Sequence, residues 1–393
     1  MKRKQQIGTA GKLAAVALIG GAGMAGAQDL SSLEARIAAL ENSQPAQGQV
    51  SVAPGVKLSF YGYTKLDMIS DNNFDLGATT GAMAGVTTGS ALEGSGSNAH
   101  AYESRLGMRG TIDTDIGEVK FNIEGDFFGS GGGNFRLRHA YGEVGPLLAG
   151  QTWTNWVPAE GTVATVQDFN GPAGSSYYRT PQIRYTHRPN DQWRLSLAIE
   201  EDYAPGTQTR LAVTGFAGYS NGPLKVGIGA ISRGIETTDH GDVTGYGYAI
   251  GADYEAWQGG KIHAQYLGGK GITTLLNNAG FSGLEVENPG AKYAFDVDTN
   301  GDTIKATTMR FGVTQKIGEK SDISLAHGFQ RYDDYAGALG NYTKEVSSSY
   351  VTYRYHATKQ VMLAAEVSHV EREQFDGTKF DNTRLQGVVK FTF

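Results

Sequence analysis

The segment EVKFNIEGDF, residues 118–127, decides the fold. Its polar residues at 118, 120, 122, 124 and 126 alternate with apolar residues or glycine at 119, 121, 123, 125 and 127. Successive side chains of a β-strand point to opposite faces, so this strand has one wholly polar face and one apolar face. A sheet that covers a protein core can have the same pattern. The number of such segments and the lengths of their connections decide between a soluble sheet and a membrane barrel.

Sixteen segments of the chain share this alternation. They lie at 56–69, 102–114, 117–128, 134–144, 147–153, 180–188, 191–202, 209–220, 223–234, 243–255, 260–269, 304–316, 321–333, 344–356, 360–373 and 382–393. Short connections such as 145–146 and 221–223 alternate with longer ones that include 70–101, 154–179 and 270–303. Alternating turns and long loops around an even number of strands are typical of outer-membrane barrels. The pattern predicts an all-β, 16-stranded antiparallel transmembrane β-barrel over residues 56–393.

The composition excludes several other classes of protein. The chain has 393 residues, 56 of them glycine and none cysteine, which excludes a disulfide scaffold and a thiolate metal site. No apolar run beyond the N-terminus approaches the roughly 20 residues of a membrane helix. The formal net charge of −6 disfavours nucleic-acid binding. No nucleotide-binding, serine-hydrolase or zinc-protease motif occurs, so we expect no enzymatic activity.

The N-terminus has the features of an export signal followed by a short helix. Basic residues at 2–4, an apolar run at 13–19 and Ala25-Gly26-Ala27 predict a signal peptide over 1–27. A helix over 28–43 has an apolar seam at a/d spacing, which predicts an oligomeric coiled coil in the periplasm, formed by Leu30, Leu33, Ile37 and Leu40. A helix that packs on nothing in particular is the alternative. Residues 44–55 are predicted to be a linker.

The last predicted strand supports the barrel. Residues 385, 387, 389, 391 and 393 form one apolar face, and the chain ends on Phe393. This ending resembles the C-terminal signal that the barrel-assembly machinery of Gram-negative bacteria reads. The resemblance implies that machinery as a partner and the outer membrane as the location.

A barrel of sixteen strands leaves a water-filled channel rather than a filled core. Channels of this size resemble trimeric porins, in which the loop after the fifth strand folds inward and narrows the pore. The matching segment is 154–179, and it contains Trp156, Asp168, Phe169, Tyr177 and Tyr178. A loop that lies over the mouth of the barrel is the alternative.

Two neighbouring motifs resemble the DcaP-type porins. They are FRLRHAY at 135–141 and LAGQTWTNW at 148–156, and the order of signal peptide, short coiled coil, linker and barrel is similar too. The resemblance implies a homotrimer in outer-membrane lipid and lipopolysaccharide that takes up small organic anions such as dicarboxylates and aromatic acids. A general non-selective porin and a gated or adhesive barrel remain alternatives.

The polar faces of several predicted strands also carry arginines. Their spacing of two or four residues places each pair on one face, and they are Arg105, Arg109, Arg136, Arg138, Arg184, Arg188 and Arg194, with Arg179 at the end of the inward segment. Guanidinium groups bind carboxylates through two parallel hydrogen bonds, and pores lined by arginine favour anions. The pattern therefore predicts an arginine wall that selects anions. The alternative is that these arginines pair with Glu118, Glu124, Asp126 or loop acids.

An acidic segment in the long connection 270–303 matches part of a calcium-binding loop. Asp296, Asp298, Asn300 and Asp302 occupy the spacing of its first four ligands, with Gly301 between the last two. Position 12 is Thr307 rather than the usual glutamate. We expect no cofactor, with calcium in this loop as an alternative to a solvated acidic turn.

Overall fold

The β-strands follow one another in a meander that closes on itself. In the computed structural model the described residues are 49–166, 171–174, 176–202, 211–237, 239–276 and 296–393. The strands are β1 (Gln49–Ala53), β2 (Val56–Asp71), β3 (Gly96–His100), β4 (Arg105–Thr114), β5 (Gly117–Gly129), β6 (Asn134–Val144), β7 (Leu147–Trp153), β8 (Arg179–His187), β9 (Trp193–Glu201), β10 (Leu211–Asn221), β11 (Leu224–Thr237), β12 (Gly241–Trp257), β13 (Gly260–Lys270), β14 (Lys305–Ile317), β15 (Ser321–Tyr332), β16 (Thr343–His356), β17 (Val361–Gln374) and β18 (Lys379–Thr392). Short 3-10 helices cover Thr80–Gly85 and Thr273–Leu275. No helix among the described residues is long and apolar enough to cross a membrane.

The wall of the barrel consists of sixteen antiparallel strands, as predicted. The strands β3 and β4 both pair with β2, at 67–71 and at 56–63, so they form one interrupted wall strand. The strand β1 pairs with β2 and lies within the predicted linker 44–55. The last strand pairs with the first wall strand, from Arg384 opposite Asp71 to Thr392 opposite Tyr63. The closed barrel has no free sheet edge along its wall.

The connections differ in length less regularly than the sequence indicates. One end of the barrel, here called the turn end, carries tight turns such as 145–146 and 222–223. The opposite loop end carries the long connections 72–95, 154–178 and 271–304, but the β5–β6, β11–β12 and β17–β18 connections there have only three or four residues. Strict alternation is therefore wrong at these three places, because an antiparallel hairpin needs only two to five residues to close.

Polar and apolar residues are arranged in the opposite way to a soluble protein. On β9 the side chains of Leu195, Leu197 and Ile199 are exposed, whereas that of Glu200 on the same strand is 1% exposed. Exposed aromatic residues lie near the turn end, among them Trp193, Tyr254, Trp257, Tyr353 and Phe391. An outer apolar band with aromatic girdles and a polar interior is the pattern of a barrel that faces lipid.

The predicted N-terminal features lie outside the described residues. These are the signal peptide 1–27 and the coiled-coil seam of Leu30, Leu33, Ile37 and Leu40. They remain predictions.

Candidate functional site: the inward loop and the arginine-lined cavity

The connection 154–178 lies inside the barrel. At its start the Thr154 hydroxyl and the Asn155 N–H donate to the Glu200 carboxylate at 2.6 Å each, and Glu200 belongs to β9. Further along, the Gly161 N–H donates to Asp253 of β12 at 3.0 Å, and the Gln265 amide of β13 donates to Pro158 O at 2.8 Å. The loop therefore follows the inner wall instead of covering the mouth.

The loop continues to the far side of the barrel before it returns. The Val166 carbonyl accepts a hydrogen bond from Lys65 of β2, and the Ala173 N–H donates to Ser348 of β16 at 2.7 Å. Near the end of the loop, Arg310 of β14 donates to the Tyr177 hydroxyl at 3.0 Å and also to Gln265. Because its contacts run from β9 to β2, the loop covers the inner face of that part of the wall.

Wall glycines make room for this loop. A Cβ atom added at Gly229 would overlap the carbonyl oxygen of Trp156, and one added at Gly251 would overlap that of Glu160. A Cβ atom at Gly328 would meet the carbonyl of Ala173 in the same way. The glycine content thus has a specific cause here, since any side chain at these wall positions would displace the backbone of the loop.

Replacing Gly229 with valine should displace the loop from its seat. The added side chain would occupy the place of the Trp156 carbonyl, which is backbone and cannot rotate away. We expect a clearly lower temperature of barrel unfolding, measured by the heat-induced mobility shift in gels. Gly215 of the neighbouring strand β10 has nothing within 4 Å of an added Cβ, so Gly215→Val is the matched control. Equal unfolding temperatures for the two variants would contradict the close contact between Gly229 and the backbone of the loop.

The predicted loop residues do not all face the lumen. Trp156 is fully buried and donates its indole N–H to the Tyr178 hydroxyl at 2.9 Å. Burial raises the pKa of the Tyr178 phenol well above its usual range, so the group is neutral. These two residues pack between loop and wall and hold the loop, whereas Tyr177 lines a cavity. Asp168 and Phe169 lie outside the described residues.

The predicted arginines divide into two groups. Arg105 of β4 and the two arginines of β6 lie against carboxylates of β5: Arg136 makes two hydrogen bonds to Asp126 at 2.9 and 2.7 Å, and Arg138 contacts Glu124 at 2.7 Å and Asp126 at 3.0 Å. The Nε atom of Arg105 lies 3.4 Å from Glu124. For these three arginines the alternative of pairing with Glu124 and Asp126 is confirmed. Glu118 instead lies 3.6 Å from Lys120.

Aromatic rings support most of the arginines. The guanidinium carbon of Arg109 lies 5.3 Å from the Tyr61 ring centre, and that of Arg179 lies 4.3 Å from the Trp153 ring centre. Arg194 lies 4.6 Å from the Phe216 ring centre. Such contacts restrain the guanidinium planes without cancelling their charge.

The second group of arginines lines a cavity near the turn end. The cavity has a volume of about 470 Å³, and its lining includes Arg184, Arg188 and Arg194. Its other walls are formed by Glu143, Trp153, Thr154, Val157, Thr162, Tyr177, Ser196 and Phe216, among others. Within the described part of the chain, none of these three arginines forms an ion pair with a carboxylate. With one glutamate in the lining, the cavity keeps two positive charges in excess.

The predicted arginines therefore do not form one continuous wall. The strand β5 separates Arg109 from Arg136, and its carboxylates neutralise the neighbouring guanidinium groups, whereas β7 separates this region from Arg184. Arg184, Arg188 and Arg194 instead line the turn-end cavity, on β8, β9 and the turn between them.

Several inward-facing charged residues were not predicted. Arg384 makes a two-fold contact with Asp71 across the closing seam at 2.8 and 2.7 Å. Arg233 contacts Asp202 and Asp296, and Arg310 lies behind the loop. All three lie on polar strand faces, so their alternation could have identified them as inward-facing. The partners are far away in the sequence, and no local pattern indicates them.

The acidic segment 296–302 makes protein contacts in place of a metal-ligand cluster. The Asp296 carboxylate accepts hydrogen bonds from Arg233 at 2.9 Å and from the Thr274 hydroxyl at 2.6 Å. The Asp298 carboxylate accepts from the N–H groups of Asn300 and Asp302 at 2.9 Å each, which closes a turn. Over the described ranges, no group of three acidic or histidine side chains could hold a metal ion. These contacts explain the acidic residues without calcium, and calcium binding stays an untested prediction.

Comparison with known proteins agrees with the barrel and its motifs. The family model described as "DcaP outer membrane protein" matches residues 26–208. Residues 26–208 of this chain are therefore similar to the DcaP outer membrane protein family. The match includes both motifs on which the resemblance was based, and it confirms that prediction. The protein is a porin-type barrel of the bacterial outer membrane.

Solved structures of several porins share the fold of this chain. The outer membrane channel DcaP of Acinetobacter baumannii is 21% identical, with a TM-score of 0.73 over 88% of this chain and 99% of that one. An anion-selective porin from Comamonas acidovorans is 16% identical, with a TM-score of 0.59 over 86% and 100%. The trimer form of OmpT from Vibrio cholerae is 10% identical, with a TM-score of 0.56 over 86% and 100%. Among curated proteins, no sequence matches this one.

Proposed function

We propose that this protein is a passive diffusion channel that prefers small organic anions, including dicarboxylates and aromatic acids. The observation that carries the proposal is the cavity beside the inward loop, where Arg184, Arg188 and Arg194 outnumber the one glutamate of the lining and form no ion pair among the described residues. A solute that passes between the loop and this wall meets excess positive charge. Apolar walls, among them Trp153 and Phe216, suit the hydrocarbon part of such a solute.

The strength of the attraction fits a channel. A unit charge about 4 Å from a guanidinium gains about 4 kcal/mol at an effective dielectric constant of 20, but only about 1 kcal/mol in bulk water. A narrowed aqueous passage lies between these limits. Two or three arginines would therefore attract an anion without trapping it, which is what conduction requires.

A general non-selective porin is the second candidate, and one observation favours it. Glu124 and Asp126 pair with three of the four arginines on β4 and β6, so this part of the lumen has less unpaired positive charge than its number of arginines suggests. If the passage is wide beside the turn-end cavity, the arginines of the cavity would make the current only weakly selective for anions.

The zero-current potential in a salt gradient tests the proposal. We expect reconstituted wild-type channels to be anion-selective near 0.1 M salt, and to lose much of this preference near 1 M salt. The reason is that the screening length shortens from about 10 Å to about 3 Å over this range. Liposome swelling should be faster with dicarboxylates and aromatic acids than with basic amino acids of similar size. Cation selectivity at low salt would overturn the proposal.

We also propose that the channel is a homotrimer that the N-terminal helix reinforces. The trimer form of the OmpT barrel supports this proposal, since it shares the fold. The apolar seam from Leu30 to Leu40 spans about eleven residues, which is too short to hold an assembly alone. Deleting residues 28–50 should therefore leave trimers in mild detergent with lower heat resistance, as measured by native mass spectrometry and gel shift. A deletion variant that is entirely monomeric would contradict this role.

A further inference from the structure

One residue of the inward loop is held by two buried charged side chains of the wall. The Val166 N–H donates to Oε2 of Glu366 on β17 at 2.9 Å. The Val166 carbonyl accepts from Nζ of Lys65 on β2 at 2.6 Å. Lys65 is 2% exposed and Glu366 is 4% exposed. We call this arrangement, with Val166, Lys65 and Glu366, the Val166 anchor.

The Val166 side chain is part of the same contact. It is buried, and it packs against Ala364 of β17 and Val388 of β18, with Met362 at the edge. Val166 lies outside any strand, yet both of its backbone polar groups and its side chain have partners on the opposite wall. Buried backbone groups need such partners, and those to charged groups are the stronger hydrogen bonds.

The two charged residues of the anchor differ in how their charges are balanced. Lys65 lies 2.5 Å from Glu103 and 3.1 Å from Asp67. The charge of Lys65 is therefore balanced by two carboxylates that do not belong to the loop. In the described part of the chain Glu366 has no ion-pair partner; its Oε2 accepts hydrogen bonds from the Thr352 hydroxyl at 2.6 Å and from Val166. A buried carboxylate needs donors, and Val166 supplies one of the two. Glu366 is therefore the residue whose contacts depend most on the loop.

We infer that Glu366 and Lys65 are positioning residues that fix the inward loop at Val166 and thereby set the cross-section of the passage. Between its contacts with β9 and with β2, the loop extends around the inner wall, and the Val166 anchor is the last described contact before residue 167. Releasing it would free Val166 from the wall, while Gly161 stays attached to Asp253 and Ala173 stays attached to Ser348. The effect on current rests on the proposed channel function, but the docking of Val166 does not.

Thiol accessibility tests the anchor directly, because the chain has no cysteine. Val166→Cys places a single thiol at the buried position in the full-length channel. Its rate of reaction with N-ethylmaleimide, followed by intact mass, should be slow in this parent variant. We expect at least a tenfold faster reaction in V166C/E366L, because leucine cannot accept the Val166 N–H. In V166C/E366Q the rate should stay near that of the parent, because the amide oxygen can still accept it.

A control variant on the same strand separates docking from general loosening. Glu373 also lies on β17, but its partners are Lys344 and Lys379, away from the loop. The V166C/E373L variant loses one glutamate, as V166C/E366L does, but its thiol should react at the rate of the parent variant. If E366L does not fold, by the criterion of heat-modifiable mobility, the smaller change E366A replaces it. Equal rates in the parent and the E366L or E366A variant would overturn the inference, as would a parent thiol that reacts at once.

Single-channel recording measures the consequence for the passage. E366L, with Val166 intact, should have several conductance levels where wild type and E373L have one. Its zero-current potential should stay that of the wild type, because the turn-end arginines are unchanged. A fast thiol reaction with an unchanged conductance pattern would show that the loop moves without changing the cross-section of the passage. That result would overturn the claim that the anchor sets the cross-section. A cation-selective wild type would defeat the proposed function and leave the thiol result valid.

Discussion

Replacing Arg188 and Arg194 together with alanine is expected to remove most of the anion preference of the channel. Both side chains line the turn-end cavity and are exposed, and neither has an acidic partner in the described residues. The pairing of His187 with Leu195 in the β8–β9 hairpin, extended by one residue, places Arg188 opposite Arg194. Like charges directly across a ladder repel each other. An anion between them relieves that repulsion, so this pair should be the strongest anion site of the cavity.

The expected size of this effect follows from the Coulomb energies. Each guanidinium contributes between about 1 and 4 kcal/mol to a nearby anion. A loss of about 1.4 kcal/mol alone lowers the anion-to-cation permeability ratio about tenfold. We therefore expect a shift of that order at 0.1 M salt, measured as the zero-current potential in a salt gradient. Uptake of dicarboxylates into liposomes should slow in parallel.

Two comparison variants make the result specific. Arg331 is exposed on β15, where it pairs with Glu345, and R331A should leave the zero-current potential unchanged. R188K/R194K keeps both charges but loses the forked geometry that binds a carboxylate through two bonds. It should keep the ion preference and still slow dicarboxylate uptake. An R188A/R194A channel with wild-type selectivity would mean that the passage avoids this cavity.

Local alternation was sufficient to predict the barrel. In residues 118–127 it gives the inward and outward faces of β5, and the same period recurs in every wall strand. The end of the chain on Phe393 agrees with a final strand that closes against β2, where Phe393 and Gly62 exchange backbone hydrogen bonds. The alternation that marks a strand is a pattern among residues close together in the chain. Both this pattern and the number of strands can therefore be read directly from the sequence.

The partners across the lumen could not be predicted in this way. The sequence places Arg138 and Glu124 on polar faces, but strand register decides whether their side chains meet. The contact between Lys65 and Val166 spans 101 residues, and it depends on the path of the loop inside the barrel. The sequence gives no sign of why a glycine such as Gly229 is needed. Its role is visible only in the structure, where the Trp156 carbonyl lies against it. Thus the faces of the candidate site were predictable, and its charge balance was not.

Replacing Arg138 with methionine is expected to destabilise the barrel strongly and to change its selectivity little. Arg138 is 1% exposed and contacts two buried carboxylates, Glu124 at 2.7 Å and Asp126 at 3.0 Å. Removing one partner of a buried ion pair costs about 3–5 kcal/mol when a charge is left without compensation. Glu124 would keep its longer contact with Arg105 at 3.4 Å, and Asp126 would keep Arg136, so we expect the lower end of this range. Methionine keeps much of the side-chain volume of arginine. The decrease in the free energy of unfolding should therefore come mainly from the loss of the charge. The free energy of unfolding in urea, measured in phospholipid vesicles, provides the test.

Neutralising Glu124 as well should restore part of that stability. In R138M/E124Q the neutral amide no longer needs a cation, while Asp126 keeps its two bonds to Arg136. The exposed pair of Arg331 and Glu345 provides the reference, since breaking a surface pair costs about 1 kcal/mol or less. The zero-current potential of R138M should move far less than that of R188A/R194A, because the Arg138 charge is already cancelled by its partners. If R138M is as stable as R331A, the buried network does not hold this part of the wall together. If its selectivity changes as much as that of R188A/R194A, the anion preference lies on β6 and not at the turn end.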